Sequence, residues 1–379
     1  MKKWMKKYGV LVAVIFAIFL VLSGRRGFFA GRPEENKEGE TAAGQDISPD
    51  EGVSYGIEIP YEYKADINET NRIDAVVDAP DTVRKEGFRM ASARIADVPE
   101  ASVLALLEED YHPYAGEEYD AARQYLGEDE MYLFFSKEYS EFTMFCRTAD
   151  YIGTAYRYRP TEDCNKERYA LDAELPDFPL ADCDRRIEEL FRAYGVDGGL
   201  RVVHSTLEHE TMAQEALELH ADGTWEKPDY TWSAADDNYH CRVWQMCNGV
   251  PVLHGYMLQT YMNILEEGCH ILKLNRDRFL EMSITEVYKI SYGQEWEQLL
   301  RFEEVLERYG QFTEAAEENY AIEITEIGLR VTSVDEGGGT YRMAPIWIFY
   351  GTKTYESEGV VMPFAMMIDA VTGDELWEM

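Results

Sequence analysis

The chain has 379 residues, with 72 Asp or Glu against 36 Lys or Arg, and a formal net charge of −36. That length accommodates two ordinary domains, each able to bury its own core. So acidic a surface repels phosphate backbones and anionic lipid heads, which excludes nucleic acid as a partner.

The N-terminus places four lysines in MKKWMKKY ahead of an uncharged run, Gly9 to Gly24, and then Arg25 and Arg26. Counting Tyr8, the run is near the lower limit of roughly 17 residues for a membrane-spanning helix. Lysines on one side keep that end in the cytoplasm and send the bulk across. Residues 1–30 therefore read as a signal anchor with a transmembrane helix, giving a single-pass cell-membrane protein whose N-terminus is cytoplasmic and whose bulk is extracytoplasmic. The alternative is a signal peptide, with secretion after cleavage. Arg25 follows Leu22-Ser23-Gly24 where a lipoprotein carries its lipidated cysteine, so lipid attachment at that position is excluded. Residues 31–54 have almost no large apolar side chains and read as a flexible acidic linker.

From Gly56 onward, GIEIPYEYKADI and IDAVVDAP have strand length and pattern. Pro99 opens a short helix with Val103, Leu104 and Leu107 on one face. Met131–Ser136, Glu141–Cys146 and Gly153–Pro160 form an aromatic-rich meander. Asp182 is the expected cap of a helix in which Ile187, Leu190, Phe191 and Tyr194 share a face and Gly195 ends the turn. A domain boundary is placed after it, giving an N-terminal α+β domain over 55–197 and a C-terminal one over 198–379.

The second part opens with Leu200–Leu207 as a strand and His209–Leu219 as a helix. Asn238–Met246 and Val250–Thr260 flank Asn248-Gly249, whose tolerance of positive φ predicts a type I′ hairpin. His270–Asn275 and Leu280–Ser291 add strands, and Gln294–Gly310 reads as a helix with Leu299, Phe302, Leu306 and Tyr309 inward. Tyr320–Val334 leads into two closing strands, Thr340–Gly351 and Val361–Trp377, the latter turning at Thr372-Gly373-Asp374. The expected class is α+β: an anchor helix, then two domains that are each an antiparallel sheet with helices packed on one face.

Six cysteines (Cys146, Cys164, Cys183, Cys241, Cys247, Cys269) allow fifteen disulfide pairings, and disulfides and buried free thiols both fit the sequence. Cys241 and Cys247 are about 20 Å apart along an extended strand and cannot pair with each other. Their spacings match no zinc knuckle, the seven histidines are scattered, and His209-Glu210 lacks the second histidine of a zinc-protease helix. No nucleophile elbow or phosphate-binding glycine loop is present, and the acidic clusters read as solvated faces. No residue is assigned to catalysis, to a cofactor or to a metal. Trp244, Trp347 and Tyr350 are the candidate binding surface, as aromatics able to line a groove.

From about Asn238 the sequence resembles PepSY-type domains, YycH/YycI-type extracytoplasmic regulators and a family of bacterial envelope lipoproteins. The resemblance rests on Asn248-Gly249-Val250-Pro251, the helix from Leu299 to Leu306, Pro345 to Phe349, and Ile368-Asp369-Ala370-Val371-Thr372-Gly373. It implies an interaction or regulatory module of the cell envelope, contacting a sensor kinase or a peptidase, with integral membrane contact through residues 9–24. The alternative function is a binding module for a cell-wall fragment or small ligand.

Overall fold

The computed structural model describes residues 55–107, 111–113, 122–127, 131–136, 141–146, 169–215, 218–219, 225–226, 231–254, 268–314, 320–355 and 359–378. The chain divides into a larger compact unit, residues 54–218 and 227–379, and a smaller one, residues 1–53 and 219–226. The larger unit carries everything discussed below except Leu219–Glu226. The expected anchor and linker lie outside the described residues. Among those described, no helix is long and apolar enough to cross a membrane, so the expected single-pass transmembrane helix is not found there.

In chain order the unit begins with strands β1 (Glu62–Asp66) and β2 (Asn71–Asp78), helix α1 (Asp81–Glu86), β3 (Phe88–Ile95) and α2 (Glu100–Leu106). Next come β4 (His112–Pro113), β5 (Ala122–Leu126), β6 (Met131–Ser136), β7 (Glu141–Cys146), α3 (Leu180–Ala193), β8 (Leu200–Leu207) and α4 (His209–Glu215). The short strands β9 (Glu218–Leu219) and β10 (Trp225–Glu226) form a separate two-stranded sheet. The chain continues with β11 (Asn238–Cys247), β12 (Val250–Leu253), β13 (His270–Asn275), β14 (Phe279–Thr285) and β15 (Tyr288–Glu297). It ends with α5 (Phe302–Glu314), β16 (Tyr320–Gly337), β17 (Thr340–Tyr355), β18 (Val360–Asp369) and β19 (Glu375–Glu378).

These strands make one seventeen-stranded sheet, and this corrects the α+β expectation: the body is mostly β and its sheet is mixed. β16 runs antiparallel to β17 but parallel to β2 and to β12. Parallel partners cannot be read from hairpin signals, because the joining segments are long. Strands from before and after residue 197 pair throughout: β2 with β16, β3 with β15 and β17, β7 with β14. The expected boundary therefore does not separate two sheets.

Three apolar layers explain the arrangement. On one face of β16–β18, Leu329, Trp347, Phe349 and Phe364 pack with Phe302, Val305 and Tyr309 of α5. On the opposite face Ile346, Ile348, Ala365 and Met367 pack with Trp244 of β11. The far side of β11 contributes Tyr239, Cys241 and Val243 to a core shared with Cys183, Ile187 and Phe191 of α3. A strand covered on both faces reads as a continuous apolar run, which is why Met343 to Phe349 is buried without alternation.

Local details follow the sequence. Asn248 and Gly249 take φ of 54° and 76° at the β11–β12 corner, as the hairpin signal predicts. The two closing segments pair from Ile346↔Asp369 to Tyr355↔Val360. In the turn after β18, the Asp369 carboxylate accepts the N–H groups of Val371 and Thr372 at 2.8 and 2.9 Å. Two helices are shifted. α3 begins after Pro179, with the Leu180 N–H donating to Glu174 rather than to an Asp182 cap. The stretch from Gln294 to Glu297 is the end of β15, where Trp296 stacks on Tyr55 and pairs with Arg89, and α5 starts only at Phe302.

Gly351 is required by close approach. Between Ile324↔Gly351 and Glu326↔Tyr350 the β16–β17 ladder carries a bulge at Thr325, and a Cβ at Gly351 would run into the Glu323 carbonyl. Gly351→Ala is expected to lower the unfolding free energy by about 1–3 kcal/mol, as overpacking does. Urea unfolding of the full chain measures it, and an unchanged midpoint would show that the ladder accommodates the methyl group.

Candidate functional site

The β8–β11 register sets His204 directly opposite Cys241. The α3 helix lies over that face and brings Cys183 from its first turn to within 3.6 Å of Cys241, sulfur to sulfur. The two sulfurs and one ring nitrogen of His204 all lie within 4.8 Å of one another, and all three residues are buried. Their order is fixed from outside by two carboxylates. Asp172 accepts from the His204 backbone N–H at 3.1 Å and sits 3.0 Å from Nδ1, while Asp184, next to Cys183, sits 2.9 Å from Nε2.

The strap that carries Asp172 is itself pinned. The Tyr239 hydroxyl donates to the Phe178 carbonyl and accepts from the Leu175 N–H, at 2.8 and 2.7 Å. Asp172 takes a left-handed φ of 51°, an uncommon conformation for a residue with a Cβ. It is held there in part by its own N–H donating to the His204 carbonyl at 3.0 Å.

Electrostatics divide the thiols. The hydrogen bond with Cys241, against the opposing effect of burial and helped by His204, draws the Cys183 thiol down to about 7. Burial, reinforced by Cys183, pushes the Cys241 thiol well above its ordinary value. Burial alone would lower His204, but hydrogen bonds to Cys183 and Asp172 carry it up to about 9. One thiolate stabilised by a neighbouring thiol and an imidazolium is the state these shifts describe. Such a cluster has the donor types for a thiophilic metal. Its burial bars a substrate from direct attack.

A second polar pair lies in the core. His254 and His270 are fully buried, with ring centroids 4.2 Å apart, and none of their four nitrogens has a hydrogen-bond partner among the described residues. Burial lowers His254 to about 4, and burial together with His254 puts His270 well below its usual value.

The candidate binding aromatics do not share a groove. Trp347 lies on the α5 face of β17, against Phe302. Trp244 and the half-buried Tyr350 lie in the layer on the opposite face. Cys183, Cys241 and Cys247 are free thiols, and Cys164 lies outside the described residues. A surface depression lined by Tyr61, Val76, Asp78, Arg84 and Glu326 among others shares no residue with the thiol cluster. Its Arg84 guanidinium is held by backbone carbonyls of Pro60, Val77 and Ala79.

One surface is apolar where most of the body is not. β18 pairs with β17 along its whole length, but with β19 only from Met366 to Ile368. Among the described strands this leaves Val360–Ala365 as an open edge, and Val360, Val361 and Met362 are 41%, 60% and 44% exposed. Because successive strand residues face opposite ways, both faces of this hairpin end present apolar side chains. Beside it, Lys353 lies over the Tyr320 ring at 3.8 Å.

The chain matches no protein-family profile and no curated protein. The crystal structure of an uncharacterized protein from Eubacterium rectale ATCC 33656 is similar, with a TM-score of 0.56 at 14% identity, covering 84% of this chain and 94% of that one. At that identity the likeness shows the fold alone.

The histidine pair gives a pH prediction. Its folded-state affinity for protons is below that of the unfolded chain, whose histidines titrate near ~6.5. Its contribution is therefore complete above pH ~6.5 and is lost as the pH falls toward the folded value of about 4. Thermal unfolding between pH 7 and 5 should show a falling midpoint in the wild type and a flatter profile in His254→Leu/His270→Leu. Parallel profiles would place the acid sensitivity elsewhere.

Proposed function

We propose that this protein is an interaction module that works by contact with another protein of the bacterial cell envelope, which it reaches by secretion. The observation that carries the reading is the exposed apolar end of the β17–β18 hairpin. Exposed, apolar, partly unpaired strand ends are unusual, because they invite pairing with another chain, and proteins that retain them use them for binding. Pro363 withholds one N–H from the same segment, which limits indiscriminate addition of strands. Side-chain burial of Val360, Val361 and Met362 would then contribute more than a long backbone ladder. The net charge of −36 over the whole chain favours a basic partner. Contact of this kind regulates when the surface binds one state of the partner better than another. The resemblance to PepSY-type and YycH/YycI-type regulators agrees with this mode. The groove reading for a wall fragment is less favoured, because Trp244 and Trp347 are core residues on opposite faces of β17.

A photo-crosslinking side chain at Val361, introduced into the full chain in its own cell, is expected to yield one discrete protein adduct. The adduct should disappear when Val360→Lys and Met362→Lys are added, since both side chains are exposed and the fold does not need them. Adducts that persist after both substitutions, or that form equally from exposed Lys64, would contradict the assignment.

A further inference from the structure

The thiol cluster belongs to a different part of the body from the β18 edge, and its geometry has a meaning of its own. In a tetrahedral site with metal–sulfur bonds of roughly 2.3 Å, two thiolate sulfurs lie roughly 3.8 Å apart. In a disulfide they lie roughly 2.05 Å apart. The Cys183–Cys241 separation of 3.6 Å matches the first arrangement. The third donor is also in place, because the β8–β11 register fixes His204 across from Cys241 and its ring nitrogen lies within 4.8 Å of both sulfurs.

From the placement of these donors on three separate elements, we infer that Cys183, Cys241 and His204 bind one zinc ion, with Asp184 completing a four-ligand site. The carboxylates have distinct roles. Asp172, anchored by its bonds to the His204 backbone, accepts the Nδ1–H and leaves the Nε2 lone pair for the metal, which is the usual arrangement behind a metal-bound histidine. Asp184, now 2.9 Å from Nε2, transfers from the ring to the ion. Its half-exposed side chain gives the ion a route from solvent into an otherwise closed site.

Protons balance simply. The remaining thiol proton and the Nε2 proton of His204 leave for solvent as the metal binds, and no electron is transferred. Two thiolates, one carboxylate and a neutral imidazole around a divalent cation leave a net charge of about −1, where the four ligands alone would carry about −3. With all four positions filled by protein, the ion is structural: it ties the first turn of α3 to β8 and β11 and closes the layer formed by Ile187, Phe191, Tyr239 and Val243.

The test uses the full chain, reduced and free of metal. Cobalt(II), which reports ligand type in zinc sites, is expected to bind at one equivalent with a tetrahedral spectrum and a sulfur-to-metal charge-transfer band. One equivalent of zinc should bleach it. Cys183→Ser should weaken that band and lose the tight equivalent, whereas Cys247→Ser, buried elsewhere, should leave both unchanged. Asp172→Asn, a positioning change, should weaken zinc binding by about 10–100-fold without altering the band shape. If Cys183→Ser does not fold, the sulfur count from X-ray absorption of the wild-type zinc form decides, and two sulfurs are expected. Absence of a stoichiometric equivalent in the reduced chain, a spectrum without sulfur character, or a reduced chain that forms a Cys183–Cys241 disulfide in air as fast with one equivalent of zinc as without it would each overturn the site. None of these readouts depends on the contact assigned to β18.

Discussion

Both faces of the β16–β17 pair are buried, and the rest of the body follows from that constraint. A sheet sealed on one side only would allow alternating sequence and an independent domain. Here Trp347 and Phe349 need the cover of α5, while Ile346 and Ile348 need the second half of the sheet. Fully burying each such side chain stabilises by roughly 1.5–3 kcal/mol, so separating the two halves would forfeit a whole layer of contacts. The buried Arg330 is held to the same frame, with Asp78 of β2 at 2.9 Å and Glu326 at 3.4 Å. A charge so placed tolerates little displacement of its partners.

Much of the strand content was legible because it is local. The turn at Asn248-Gly249, the adjacency of the two closing segments and the apolar face of α3 each rest on patterns within twenty or so residues. The architecture was not legible, because its deciding contacts are remote: β2 meets β16 and β3 meets β15 and β17 across some two hundred residues or more. Asp182 illustrates a smaller failure. An acidic residue before a periodic run is a sound capping signal, yet Pro179 with Glu174 starts the helix earlier and leaves Asp182 on the surface, 3.4 Å from Arg185.

The thiol cluster was hidden for the same reason. Zinc sites betray themselves when ligands come in pairs a few residues apart, and here Cys183, His204 and Cys241 arrive singly from a helix and two strands. Only the register of β8 against β11 brings two of them together. The signal available in the sequence was weaker: a histidine inside one apolar strand and a cysteine inside another, each facing the covered side. The aromatics chosen as a binding surface show the converse error. Trp244 and Trp347 are prominent in sequence because the core is large, whereas the exposed Val360-Val361-Met362 segment looks like ordinary strand.

On the proposed function, rigidity and contact fall in different places: an interleaved sheet, and a hairpin end that no described strand covers. Native-state hydrogen exchange on the full chain, with rising urea, tests this division most directly. Amides of β2 and β3 should lose protection together with those of β16 and β17, in one global opening, while Val360–Ala365 exchanges well ahead of Met366–Ile368. Loss of protection in β2 and β3 at clearly lower urea than in β16 and β17 would mean two separable domains, and would contradict the account.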